Sequence, residues 1–168
     1  VTKGADGPNP IVNTNTPGVI TVAGFEAAGI NAGGALELVK IKWSGKANGD
    51  SNIGISVETL TDTAYKNIGT PNGKGGKIKV GDSGPVVTPP ITGNPGEVSL
   101  APADATVARG GEVTTSLKVD SGNQNVGSYG IKVTYNQNVL SVVEVTKGAD
   151  GPNPIVNTNT PGLITIAG

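Results

Sequence analysis

Three oxygen-bearing side chains, Asn48, Asp50 and Asn52, stand at alternate positions in a Gly-containing stretch, a spacing that can wrap a calcium ion. The terminal Glu of the full calcium-loop signature is missing, and a hairpin turn built of turn-favouring residues accounts for the same letters. Asp120, Asn123 and Asn125 form a second, weaker set of this kind. Gly69 to Lys74 (GTPNGK) approaches a phosphate loop, but three residues separate its glycines where four are needed, and Gly75 follows the Lys in place of Ser or Thr; nucleotide binding is excluded. A glycosidase needs two carboxylates roughly 5 to 10 Å apart across a cleft, and among thirteen Asp and Glu no pair stands out. Trp43 and Tyr65 are candidates for ligand contact on an aromatic platform for sugars, whereas Tyr129 and Tyr135 alternate with apolar residues and are expected to be buried. With no Cys, His or Met in the chain, thiol nucleophiles, imidazole bases, Cys/His zinc sites and the Ser-His-Asp arrangement all drop out. The expectation is a protein that is not an enzyme, with calcium the one cofactor its residues suggest.

The 168 residues include 27 Gly, 12 Pro and only five aromatic side chains, so the core must come mostly from Val, Ile, Leu and Ala. Twelve basic against thirteen acidic residues give a formal charge of -1, and the Lys residues are scattered singly. That pattern gives no footprint for nucleic acid and no polybasic run for a membrane surface, and no apolar run approaches the 18 residues of a membrane span.

The dominant feature is a repeat. VTKGADGPNPIVNTNTPGVITVAG, Val1 to Gly24, returns as VTKGADGPNPIVNTNTPGLITIAG, Val145 to Gly168, 144 positions later. Only Val19 against Leu163 and Val22 against Ile166 differ, and both changes exchange aliphatic residues in an alternating segment expected to bury one face. The spacing is too long for a solenoid and fits one domain plus a connector, so the chain reads as a window on a tandem array; an engineered duplication leaves the same trace. Between the copies, Gly81 to Gly96 (GDSGPVVTPPITGNPG) carries four prolines and no apolar period, which makes it an extended linker with a reach on the order of 50 Å.

Elsewhere the chain alternates with period two. Val113, Thr115, Leu117 and Val119 face one way, as do Tyr129, Ile131, Val133 and Tyr135, and similar runs follow at Leu140 to Val145, Gly162 to Ala167, Ile53 to Thr59 and Lys77 to Val80. Ala35 to Trp43 changes phase between Leu38 and Val39, which predicts a strand with a bulge or one covered on both faces. Eight or nine such half-buried antiparallel strands, punctuated by Gly, Asn and Pro, indicate a β-sandwich. Because residue 1 corresponds to residue 145, residues 1–80 read as the C-terminal part of one unit, 81–96 as the linker, and 97–168 as the N-terminal part of the next. Neither part has two complete sheet faces, so each is expected to be completed by a neighbouring copy or adjoining repeat, with the two copies of the repeat competing for one slot.

In unit order, EVSLAPADATVARGGEVTTSLKVDSGNQNVGSYGIKVTYNQNVLSVVEVTKGADG resembles the front of a cohesin-type domain. Gly110-Gly111 before Val113, Tyr135 before Asn136-Gln137-Asn138, and Leu140 to Val143 before Gly148 occupy the places of that family's turn and strand motifs. PGVITVAGFEAAGI, GGALELVKIKWSG, NIGISVETLTDTAY and GGKIKV are similar to its remaining strands, although Asn136-Gln137 stands where Asp-Pro is common. The resemblance implies an antiparallel jelly-roll sandwich of about nine strands, secreted or at the cell surface, non-catalytic, and arrayed in a scaffold, adhesin or filament. Its implied partners are other copies of the protein or adjacent repeats, with a dockerin-like protein or polysaccharide as the alternative.

Overall fold

The computed structural model describes residues 11–16, 19–23, 29–81 and 93–168. Two strands near the N-terminus, β1 (Ile11–Thr16) and β2 (Val19–Ala23), form an antiparallel pair. Eleven more build two sheets and no helix occurs among the described residues. They are β3 (Leu36–Gly45), β4 (Gly49–Asp62), β5 (Asn72–Lys74), β6 (Gly76–Val80), β7 (Glu97–Ala101), β8 (Asp104–Val107), β9 (Glu112–Val119), β10 (Val126–Thr134), β11 (Leu140–Lys147), β12 (Ile155–Asn157) and β13 (Leu163–Ala167). One sheet runs β12-β13-β10-β4-β6-β8 and the other β11-β3-β9-β7-β5.

The expected period-two burial carries this architecture. Along β9, Thr115, Leu117 and Val119 are buried while Glu112 and Thr114 face solvent. Along β10, Tyr129, Ile131 and Val133 turn inward. With Ile41, Trp43, Leu60, Ile78, Leu140, Ile164 and Ile166 they form one continuous core. The bulge expected in β3 is present: Glu37 pairs with Lys118 and Val39 with Leu117, so Leu38 is the extra residue and the inward phase flips there. A second bulge in β11, between the pairs Val142–Trp43 and Glu144–Lys42, leaves Val143 exposed.

Two features depart from expectation. Residues 29–81 and 93–168 interleave in both sheets and complete one sandwich within a single chain, where completion by another copy was expected. The connector's length explains this, since its reach exceeds the roughly 10 Å that separates packed sheets several-fold. Both of its flanks are tied down: the Gly81 N–H donates to the Val107 carbonyl at 3.0 Å and the Gly96 N–H to the Asp120 carbonyl at 2.8 Å. In addition, not every pair is antiparallel. β5 with β7 and β6 with β8 run parallel, because a long crossover through the connector brings each second strand back in the direction of the first.

Candidate interaction faces

Both sheets carry ion pairs on their outward faces. On the β3 sheet, Lys42 sits between Glu112 at 3.9 Å and Glu144 at 4.0 Å. On the β10 sheet, Lys132 pairs with Glu58 at 3.0 Å, and Ser56 also donates to Glu58 at 3.0 Å. The Lys132 hydrogen bond, then that of Ser56, holds the Glu58 carboxyl below its ordinary range. Such exposed pairs contribute little stability and instead pattern charge on a flat surface, the property that selects partners.

The sequence candidates fall in separate places. Asn48 precedes β4 while Asp50 and Asn52 lie within it, so they run along an extended strand and do not converge in a loop as expected. Asp50 is instead 3.4 Å from the Lys77 ammonium. Trp43 is fully buried, which corrects its reading as a ligand contact. Its indole N–H donates to the Thr115 hydroxyl at 2.9 Å, and its ring meets Tyr135 edge-on with centroids 5.2 Å apart. Tyr65 is 72% exposed in the turn after β4. Twelve residues of strand separate Asp50 from the start of that turn, roughly 40 Å, so these candidates make no common site. In the second Asn/Asp set, Asp120 accepts the Gly122 N–H at 2.8 Å, a local turn contact, and Asn125 accepts the Ala32 N–H at 3.0 Å from a distant part of the chain; both fix backbone. Among the described residues no group of three or more Asp, Glu, His or Cys gathers as metal ligands.

Two polar constellations escaped the sequence reading. Asp62 organises the turn that presents Tyr65, accepting the N–H groups of Lys66 at 2.9 Å and Ala64 at 2.8 Å. The Lys66 N–H is the main cause of its lowered pKa, outweighing burial, with Ala64 and Gln124 adding to it. Glu37, on the β3 bulge, is gripped by the loop after β11. The Ala149 N–H donates to its carboxylate at 3.0 Å, the Ser116 hydroxyl donates to it as well, and its own N–H donates to Asp150 at 2.8 Å. Partial burial works to raise the Glu37 pKa, but the Ser116, Ala149 and Lys40 contacts overcome it and leave the carboxyl lowered. Gly148 and Gly151 permit this approach, since a Cβ on either would lie 2.1 Å from a β3 carbonyl oxygen. Beside the loop, Ile30, Leu36, Asp150, Gly151 and Pro152 help line a cleft of about 550 Å³. A signal for the Glu37 grip was present in the sequence, as a charged residue beside a bulge, but its partners lie about a hundred residues away.

The described residues form a two-sheet fold whose outer faces carry patterned charge. Residues 96–167 match the family model of the Cohesin domain. No curated protein and no solved structure matches the chain. The match ends within the portion that follows the connector, while residues 29–81 supply β3 to β6 of the same sandwich. No helix of the described residues is long and apolar enough to cross a membrane.

Proposed function

We propose that the chain is a non-enzymatic structural repeat of an extracellular filament, adhesin or scaffold, in which cohesin-like sandwiches are strung on Pro-rich spacers. The observation that carries this reading is the near-identical stretch recurring 144 positions apart, once before the connector and once inside the cohesin-matching segment. In such an array the stretch after each copy of the repeat would supply β3 to β6, so each sandwich would lie between two successive connectors. Electron microscopy of the parent polypeptide as the cell makes it tests this: regularly spaced globules along a thin strand are expected, and isolated particles of one sandwich each would refute it.

The alternative is recruitment of a dockerin-like protein or a polysaccharide through a sheet face. It draws support from the 72% exposure of Tyr65 and from the charge pattern of Lys42, Glu112 and Glu144. A glycan array and a dockerin pull-down on the intact chain separate the two readings. Saturable binding that Tyr65→Ala or Lys42→Glu abolishes, without change in thermal unfolding, would establish the second.

A further inference from the structure

We infer that the β10 edge is a hairpin-binding slot with two interchangeable occupants in the same chain: β12–β13, which fill it in this structure, and the N-terminal copy of the same sequence, residues 1–24. The slot is defined by what holds β13. Backbone pairing runs from Gly130 against Ala167 to Thr134 against Leu163, and Tyr129 and Gly168 exchange hydrogen bonds at 2.7 and 3.0 Å. Ile164 and Ile166 are fully buried, and the loop between β11 and β12 grips Glu37. Each of these contacts is made by a residue between positions 147 and 168, and the N-terminal copy repeats that stretch.

The glycines at 148, 151 and 168 recur as Gly4, Gly7 and Gly24, Asp150 as Asp6, and Ile164 as Ile20. Of the two differences, Leu163 is only half-buried, so Ile166 against Val22 is the one that reaches the core. A single buried Ile-to-Val change favours the C-terminal copy by only roughly two- to tenfold.

Two structural observations support the exchange. First, the N-terminal copy already forms the hairpin in the docked register: Ile11 pairs with Ala23, Val12 with Val22 and Asn13 with Thr21, as Ile155 does with Ala167, Val156 with Ile166 and Asn157 with Thr165. Second, the N-terminal copy is tethered beside the slot. Ile30 pairs with Val126 through hydrogen bonds of 2.7 and 2.8 Å, on the strand where Tyr129 receives Gly168. Five residues separate Gly24 from Ile30, a reach of roughly 17 Å, and three steps of β10 from Tyr129 to Val126 cover roughly 10 Å. Both hairpins therefore reach the slot at a high effective concentration, one from β11 and one from Ile30.

Residue pairs expose the exchange in the intact chain. In Ile164→Asp the resident hairpin is disabled and residues 1–24 should take its place. Cooperative thermal unfolding is then retained, and Thr21→Cys should crosslink with Lys132→Cys within one chain roughly three- to elevenfold more than when Ile164 is present. Thr165→Cys with Lys132→Cys, directly opposite in the present register, marks resident occupancy. Ile20→Asp alone should leave cooperative unfolding and the Thr165–Lys132 crosslink in place, whereas Ile20→Asp with Ile164→Asp should abolish the cooperative transition. Unfolding of Ile164→Asp to the extent of the double variant would overturn the inference, as would a folded Ile164→Asp without the Thr21–Lys132 crosslink. A crosslink joining two chains would assign the second occupant to another copy and overturn the within-chain assignment.

Discussion

Tyr129 is buried in the core and has a hydroxyl that finds no hydrogen-bond partner among the described residues. Burial of that hydroxyl pushes its pKa up to about 12 from the ordinary 10.0. The proton therefore leaves the unfolded chain before it leaves the folded one, and the stabilising difference present below pH 10 is lost as the pH rises towards 12. Tyr129→Phe removes both effects. It should raise stability at neutral pH by about 1 kcal/mol, because an unsatisfied buried hydroxyl costs about that much or more, and flatten the alkaline limb relative to the parent in urea titrations. Trp43 is the contrasting case, with its one polar atom satisfied by Thr115. Its burial was not legible in the sequence because Trp43 stands near a strand end, and only the register that sets Ile41 opposite Thr115 and Trp43 opposite Val113 brings the hydroxyl alongside the indole.

Between strands, a polar device is the grip of the β11–β12 loop on Glu37. Because its folded pKa lies below the ordinary 4.5, the grip contributes in full above that value and is lost as the pH falls through the lower, folded one. Glu37→Gln keeps the shape but not the charge, so the variant should be less stable at pH 7 and should show a shallower loss of stability as the pH falls below 4.5, read from the midpoint of chemical unfolding at each pH. The strand pattern itself was legible where burial follows from local alternation, as in β9 and β10, and the β3 bulge was visible in the change of phase at Leu38 and Val39. Asn48, Asp50 and Asn52 were misplaced because their local letters favour a turn, while pairing of Gly49 to Ile53 with Gly76 to Val80 draws the stretch into β4. The parallel pairs had no local signal at all, since they depend on strands brought together across the connector.

At the scale of the molecule, neither side of the connector owns either sheet of the sandwich. β3 lies between β11 and β9, and β4 and β6 lie between β10 and β8. Proteolytic cleavage confined to residues 82–92 should therefore leave the two fragments co-eluting at the size of the intact chain, and separating them in denaturant should cost each its cooperative fold, as circular dichroism would show. The parallel pairs have a mechanical consequence in an array of such units. Tension would enter a unit at the first residue of β7 and leave at the last residue of β6. β7 lies parallel to β5, and β6 to β8, so the pull would slide each strand lengthwise past its partner and load every rung of two ladders at once, instead of peeling them apart one rung at a time. A string of these units stretched in an optical trap should yield abruptly and at higher force than the same fold pulled by a hairpin, which would suit the protein to bearing load.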